Sequence, residues 1–221
     1  MPRIPEPERM DLLHEAEAYA RADFADVNQR FVDRMLQLAA AAPPRLTLLD
    51  LGTGPGDIPR RIAAARPNWR IVAADAAEAM LAIARRETTV APARDAIRWT
   101  RCDAKALPFV NGAFDAVVSN SILHHITETV VLWSEVRRVA QPRALIFFRD
   151  LARPESPEAA DRIVARYAGN ESATLQEEFH RSLLSAYTVD EVREQLARAG
   201  LESLNAALIT DRHLDIWGRL I

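Results

Sequence analysis

The sequence predicts an α/β protein whose sheet is mostly parallel and carries helices on both faces. Three observations lead to this fold class. Short apolar segments alternate with helical segments of about a dozen residues, a glycine-rich turn follows the first apolar segment, and two apolar segments lie close together at the end of the chain. The last pair is too closely spaced for a crossover connection, so it predicts an antiparallel hairpin at one edge of the sheet.

Two amphipathic helices are predicted before the first strand. Residues 1–7 are proline-rich, whereas apolar residues recur at helical spacing over residues 8–22 and 26–41. Pro43 and Pro44 end the second helix. Residues 1–44 are therefore expected to form an N-terminal helical cap.

The central part of the chain alternates between strands and helices. In chain order we predict a strand at 46–51, a helix ending near 65, a strand at 70–74, a helix at 76–86, and strands at 97–101 and 114–119, followed by a helix at 128–139 and a strand at 144–149. Short, nearly continuous apolar strands of this kind are typical of a parallel sheet that is covered on both faces.

The segment after the fifth strand has a different character. Residues 151–200 contain two to three helical segments and no strand candidate, and the last helix, at 189–199, is closed by Gly200. Residues 201–209 and 213–221 are the two strands of the predicted hairpin. We expect residues 45–221 to form one domain that carries a helical insert at about 151–200.

Composition excludes several classes of protein. With 28 basic and 31 acidic side chains, the net charge is −3, and Lys105 is the only lysine, so we expect no nucleic-acid partner. Cys102 is the single cysteine, which excludes intramolecular disulfides and thiolate clusters. The five histidines lack an H-E-x-x-H spacing, so no metal is expected. No apolar run approaches a membrane span, and a cytoplasmic location is expected.

The turn after the first strand carries glycines at alternate positions, Gly52, Gly54 and Gly56, and a helix follows. Glycine tolerates positive φ and lacks Cβ, so a ligand can approach the backbone there. Taken alone, this pattern fits an ordinary strand-to-helix turn equally well.

Further polar residues end neighbouring strands. Asp75, Asp103 and Asn120 each follow an apolar segment, as Gly52 does. In an open parallel sheet, ligands bind beyond the carboxyl ends of the strands. Each aspartate alone could equally be a helix cap or a turn former, but their convergence on one edge favours a ligand site.

These motifs together resemble a class I S-adenosylmethionine-dependent methyltransferase over residues 45–221. Residues 49–56 resemble its first motif, and residues 102–109 resemble its G-D-A-x-x-L-P-F segment, with Cys102 in place of the glycine. The resemblance implies a Rossmann-like seven-stranded sheet and S-adenosyl-L-methionine as cofactor, with S-adenosyl-L-homocysteine as product. It implies that Asp75 binds the ribose hydroxyls and Asp103 the adenine amine. The cofactor-binding residues that it implies are Gly52, Thr53, Gly54, Asp75, Ala76, Cys102, Asp103, Ala104, Asn120 and Ser121.

The resemblance also places acceptor-side groups after the fourth strand, where His124 and His125 are candidates for a general base. Capping of the next helix or packing under the loop is the alternative for this pair. Arg149 and Asp150, at the end of the fifth strand, are expected to point toward the cleft mouth. Further candidates for acceptor contact in the insert are His180 and Tyr187. On the N-terminal side, the candidates for contact with the cofactor carboxylate are Tyr19, Asn28 and Arg30, of which Arg30 is preferred because a guanidinium binds carboxylates bidentately.

A small molecule is the expected methyl acceptor. Asn120 is followed by Ser121 and not by the Pro-Pro of amino-methylating DNA enzymes, and one cysteine is too few for the arsenic methylators. The quinone-biosynthesis group is the nearest broad relative. Two alternatives stay open: a non-catalytic or non-methylating S-adenosylmethionine-binding protein, and a NAD(P)-dependent oxidoreductase, although the glycine spacing departs from G-x-G-x-x-G. The oligomeric state is open, with a homodimer as one option.

Overall fold

A seven-stranded sheet runs through the middle of the molecule. The computed structural model describes residues 1–6, 13–88 and 93–221. In these ranges the strands are β1 (Thr47–Leu51), β2 (Arg70–Asp75), β3 (Ile97–Arg101), β4 (Phe114–Asn120), β5 (Ala140–Leu151), β6 (Asn205–Leu208) and β7 (His213–Arg219).

The strand order is β3-β2-β1-β4-β5-β7-β6. Strands β1 to β5 are parallel to one another, whereas β7 is antiparallel to both β5 and β6. The order reverses at β1, which pairs with β2 on one side and β4 on the other. The predicted mostly parallel sheet with a C-terminal antiparallel hairpin is confirmed.

Helices cover both faces of this sheet. They are α1 (Leu13–Arg21), α2 (Ala25–Leu38), α3 (Asp57–Ala65), α4 (Glu78–Glu87), α5 (Ala93–Ala96), α6 (Thr129–Val139), α7 (Pro157–Ala168), α8 (Ala173–Ser185) and α9 (Val189–Arg198), with a 3-10 turn at Leu123–His125. The helix predicted from residue 8 has its first turn outside the described residues, and α5 and the 3-10 turn were not predicted. Among the described helices, none has the length and apolarity that a membrane span requires; a cytoplasmic location stays a prediction.

The alternation of side chains along β1 divides the core into two layers. Leu48 packs with Phe31 of α2 and Ile62 of α3 on one face, whereas Leu49 packs in the cluster that contains Trp133 of α6 on the other. Successive side chains of a strand point to opposite faces, so a continuous apolar strand needs a helical layer on each side. This explains why β1, whose leucines point to both faces, lies at the centre of the sheet.

The three helices after β5 begin at side-chain caps that the sequence supplies. Ser156 and Ser172 accept a hydrogen bond from the third residue of α7 and α8, respectively. Thr188 and Glu191 form a capping box at the start of α9. Helices α7 and α8 share an apolar cluster with Leu151 at the end of β5.

Two strands begin four residues away from their predicted starts. Strand β5 begins at Ala140, because Ala140 pairs with Phe114 before a register shift brings Leu145 opposite Ala116. Arg143 lies at φ 66° in this irregular stretch, which the sequence presents as a polar loop. The other difference is β6, whose predicted first residues, from 201, instead form a turn.

A buried ion pair joins β5 to the terminal hairpin. Arg149 and Asp215 are cross-strand neighbours, and the guanidinium donates from Nε to Oδ1 at 2.7 Å and from Nη2 to Oδ2 at 2.9 Å. Asp215 is only 1% exposed. The predicted position of Arg149 at the cleft mouth is therefore wrong, because its guanidinium pairs with Asp215 within the sheet.

Replacing Gly56 by Ala is expected to destabilise the fold more than replacing Gly112 by Ala. Both glycines have positive φ (80° and 63°), but a Cβ on Gly56 would overlap the Trp99 ring and meet the Ala84 Cβ at 3.0 Å, whereas one on Gly112 meets no atom within 4 Å. We expect the free energy of unfolding in urea to fall by about 3 kcal/mol or more for Gly56→Ala and by about 1–2 kcal/mol for Gly112→Ala. Equal losses would contradict the close packing of this turn.

Asp215→Ala is expected to lower the free energy of unfolding by about 3–5 kcal/mol, because it leaves the Arg149 guanidinium buried without its carboxylate. Asp190→Ala is the matched control, since Asp190 pairs with Arg193 at the surface, where its side chain is 91% exposed. Chemical denaturation of both variants checks this. Similar losses in the two variants would show that the buried pair has no special weight.

Candidate active site

A cavity of about 370 Å³ opens at the carboxyl ends of β1, β2 and β4. It lies where the strand order reverses, the usual place for a ligand in an open parallel sheet. The segment around Tyr19 and Phe24 closes one side, and residues of α7 and α8, such as Phe179, close the other. Its volume is within the range of roughly 300–1,000 Å³ that is common for small-molecule sites.

Most of the predicted cofactor residues meet at this cavity. Its walls include Gly52, Gly54, Asp75, Ala76, Cys102, Asp103, Ala104, Asn120 and Ser121. Thr53 instead lies buried behind the turn, where its hydroxyl donates to Asp50 at 2.6 Å. Arg30 is exposed on α2 and is not among the cavity residues; on the same helix, Val27 and Asn28 face the cavity.

The glycine turn forms one wall of the cavity, and its backbone amides donate hydrogen bonds to other groups of the protein. The amides of Gly52 and Thr53 both donate to the Ala74 carbonyl, at 2.8 and 3.0 Å. The Gly54 amide donates to Asp75 Oδ2 at 2.8 Å. Among the described residues, no atom lies within 4 Å of a Cβ placed on Gly54, so the missing side chain leaves space on the cavity side.

The two aspartates combine structural and cavity-facing roles. Asp75 accepts from the amides of Gly54 and Ala77, the latter at 2.9 Å. Asp103 accepts from the Lys105 amide at 2.9 Å. Both carboxyls are partly exposed at the cavity wall, so the backbone contacts fix their positions and leave them accessible to a ligand.

Burial raises the pKa of three acidic groups around this site. Burial, reinforced by the charges of Asp75 and Asp150, raises the pKa of Tyr19 to about 12. Burial, with Asp103 and Asp75 nearby, raises the pKa of Cys102 to about 11, so this thiol is not an activated nucleophile. Burial also raises the pKa of Asp50 to about 7, against the opposing hydrogen bond from the Thr53 hydroxyl.

The end of β4 is strained where it enters the cavity. Ser121 lies at φ 63°, a conformation that costs a non-glycine residue about 1–3 kcal/mol and that is common at functional sites. Its amide donates to the Arg149 carbonyl at 2.9 Å. The next residue, Ile122, packs over Gly52. The strain thus turns the chain over the glycine turn and leads it into the 3-10 turn that carries the two histidines.

The two histidines line the cavity but differ in their surroundings. His124 is 3% exposed, and its Nδ1 lies 2.5 Å from Asp150 Oδ1. Burial alone would lower the pKa of His124, but the charge of Asp150 and this hydrogen bond outweigh burial and raise it. The side chain of His125 is 30% exposed and is the more accessible of the two.

The other predicted acceptor-side residues lie elsewhere. His180 pairs with Asp161 across the α7–α8 contact, with Nε2 to Oδ1 at 3.1 Å, and is not a cavity residue. The Tyr187 hydroxyl donates to the Ile126 carbonyl at 2.7 Å. Asp150 is buried and also accepts from the Leu123 amide. These positions depend on helix rotation and on packing between distant segments, which apolar periodicity does not reveal.

The apolar half of the cavity was not predicted from the sequence. Its lining residues in this half are Ile126, Leu151, Ala168, Leu175 and Phe179. Leu175, Phe179 and Ser182 lie three to four residues apart on α8, so they share one face of that helix. The spacing of this face could have been read from the sequence, but not the direction in which it points.

The described residues fit the cofactor that the resemblance implies. Asp75 and Asp103 stand at the carboxyl ends of β2 and β3, which are neighbouring strands, and the backbone at Gly54 leaves open space. The cavity holds both features on one wall. Hydroxyl and amine donors of a nucleoside suit these carboxylate acceptors.

Comparisons with known proteins agree with this geometry. A family model described as a methyltransferase domain matches residues 48–143. Demethylmenaquinone methyltransferase of Thermus thermophilus is 35% identical over 159 residues, which cover 72% of this chain and 67% of that protein. Malonyl-[acyl-carrier protein] O-methyltransferase of Geobacter sulfurreducens is 34% identical over 196 residues, which cover 82% of this chain but 65% of that protein.

A solved structure shows the same fold over nearly the whole chain. The structure of a SAM-dependent methyltransferase from Aquifex aeolicus superimposes with a TM-score of 0.69 and 15% identity, and covers 93% of this chain and 98% of that chain. The fold, the cavity and the sequence relatives lead to one assignment. The chain belongs to the class I S-adenosylmethionine-dependent methyltransferase family.

Proposed function

We propose that this protein transfers a methyl group from S-adenosylmethionine to a small acceptor with an apolar body, inside the cavity described above. The observation that carries the proposal is that one continuous cavity joins the carboxylate wall of Asp75 and Asp103 to the apolar wall around Phe179, with His125 also at its surface. Such a cavity can hold a nucleoside cofactor and a second small molecule together.

In the cofactor half of the reaction, polar side chains at the strand ends would bind and align S-adenosylmethionine. When bound, S-adenosylmethionine supplies an electrophilic methyl carbon. Asp75 and Asp103 would accept hydrogen bonds from its nucleoside, and Asn120 and Ser121 would contact it from the end of β4. These side chains are held by short backbone segments after strands, so the cavity is largely preorganised for alignment of the reacting groups.

The acceptor half is assigned to the histidine turn and to α7 and α8. The walls Leu151, Leu175 and Phe179 suit an apolar ring or chain. The relative from Thermus thermophilus is named for a quinone precursor, which favours an acceptor of that chemical kind. His125 is the acceptor-side group placed to contact the nucleophile, and His124 supports it from the buried side.

The N-terminal cap and the insert are proposed to exclude water during transfer. Tyr19, Phe24 and Asn28 reach the cavity from residues 1–44, and α7 and α8 reach it from the insert. Asn28 also donates to Asp57 at 2.9 Å, which ties α2 to the start of α3. The cavity is therefore enclosed by segments that precede and follow the central strands.

Calorimetric titration with S-adenosylmethionine, S-adenosylhomocysteine and NADH tests the cofactor first. Binding of the first two without the third is expected. A panel of hydroquinones, amines and acyl thioesters is then assayed for methyl incorporation by mass spectrometry. Cofactor binding without transfer to any class would favour a non-methylating S-adenosylmethionine-binding protein, and binding of NADH alone would overturn the proposal.

Asp75→Ala and Asp103→Ala are each expected to weaken S-adenosylhomocysteine binding by about 1–3 kcal/mol, because ligand donors lose their buried acceptor. Asp115→Ala is the control. Asp115 accepts from the Thr47 amide at 2.8 Å at the opposite end of the strands, so its loss should affect stability but not affinity. Calorimetry on folded samples gives the comparison; unchanged affinity in both cavity variants would refute the assignment of this wall.

His125→Asn is expected to lower kcat by about 10²-fold or more, measured with the acceptor that the panel assay identifies. Affinity for S-adenosylhomocysteine should stay near that of the unmodified protein, because His125 serves the acceptor side. His180→Asn is the matched control, since that histidine pairs with Asp161 away from the cavity. A parallel fall of kcat in both variants would argue against a specific role for His125.

A further inference from the structure

Two distant parts of the chain bring three side chains together at the histidine turn. Glu6 Oε1 lies 3.4 Å from His124 Nε2 and 3.2 Å from His125 Nδ1. One donor atom from each of the three residues lies within 4.8 Å of the others. Two ligands bound to one tetrahedral metal at bond lengths near 2.1 Å are separated by roughly 3.0–3.5 Å, so the two carboxylate–imidazole separations are compatible with a shared ion.

The donor set is that of a transition-metal site. Two imidazoles and one carboxylate bind zinc in several enzymes and iron in others, whereas magnesium and calcium prefer oxygen ligands. The local sequence gave no sign of this set, because the adjacent histidines lack a metal-binding spacing and Glu6 is more than a hundred residues away. The expectation of no metal was based on spacing alone.

Asp150 orients His124 in the way that a metal site requires. Its Oδ1 lies 2.5 Å from His124 Nδ1, and its two oxygens also accept from the amides of Leu123 at 2.6 Å and Leu151 at 2.7 Å. A carboxylate on one ring nitrogen fixes the imidazole so that the other nitrogen can coordinate. In His124 that other nitrogen is Nε2, which faces Glu6.

The N-terminal segment holds Glu6 in place. Arg3 donates to the Ser185 carbonyl at 2.5 Å and to the His124 carbonyl at 2.7 Å, and the Ile4 amide donates to the Leu184 carbonyl at 3.0 Å. The Ser182 hydroxyl donates to Glu6 Oε1 at 3.1 Å. The Glu6 side chain is 10% exposed, and a carboxylate so deeply placed is stabilised by a positive charge beside it, which a bound cation would supply.

We propose that Glu6, His124 and His125 bind one divalent transition-metal ion of the zinc type at the acceptor end of the cavity. His124, His125 and Ser182 line the cavity, so the remaining coordination positions would face its interior. Under the proposed function, an oxygen of the acceptor would take one of these positions. The metal site itself is defined by the three donors and is tested without methyl transfer.

The test uses full-length protein without a histidine tag, treated with a chelator and then dialysed. Zinc is titrated by calorimetry, and cobalt(II) by its visible d–d absorption. We expect a single equivalent of either ion to bind. Glu6→Gln and His125→Asn should each weaken binding by at least about tenfold, as even loss of an outer-sphere partner does.

His180→Asn is the control and should leave metal affinity unchanged, because His180 lies outside the cluster. Each variant is also titrated with S-adenosylhomocysteine in the absence of metal, and retained affinity shows that the fold is intact. Absence of zinc and cobalt binding in the unmodified protein would overturn the metal site. Metal affinity in Glu6→Gln and His125→Asn equal to that of the unmodified protein would do the same. A preference for magnesium over zinc would also overturn it.

The two proposals can fail separately. S-adenosylhomocysteine binding without metal binding would leave the proposed function standing and remove the metal site. Metal binding without S-adenosylhomocysteine binding would do the reverse. A fall of kcat in His125→Asn in a protein that binds no metal would assign His125 to direct contact with the acceptor.

Discussion

The pairing of β1 with both β2 and β4 brings the walls of the candidate active site together. Leu51 lies opposite Ala74 of β2 and opposite Ser119 of β4, so the turns after these three strands open at one edge. A parallel arrangement directs all their carboxyl ends the same way. The glycine turn, Asp75 and the strained Ser121 share one cavity for this reason, although about 70 residues separate the first from the last.

Three buried carboxylates are each compensated for the loss of water by hydrogen bonds or an ion pair. Asp50 accepts from the Thr53 hydroxyl, Asp150 from two backbone amides and His124, and Asp215 from Arg149. A buried charge is tolerated only when paired or hydrogen-bonded. Each pairing also joins two segments: a strand to its turn, β5 to the histidine turn, and β5 to the hairpin. The polar interior therefore fixes the walls of the cavity.

The cavity is polar on one side and apolar on the other because two different layers form it. The polar wall comes from the ends of sheet strands, where Asp75 and Asp103 bind backbone amides. The apolar wall comes from α7 and α8, which share an apolar cluster with Leu151. Under the proposed function, the polar wall would bind the nucleoside cofactor and the apolar wall would bind the acceptor.

Local sequence patterns were enough to predict the sheet, the glycine turn and the strand ends that carry Asp75, Asp103 and Asn120. These features follow from local patterns, because each strand and the turn that ends it are consecutive in the sequence. Tertiary structure alone decided that Arg30 faces solvent while Asn28 faces the cavity, that Arg149 pairs with Asp215, and that Glu6 reaches the two histidines. The rotation of a helix about its axis and the contacts between distant segments depend on packing partners. The periodicity of a single segment does not identify those partners.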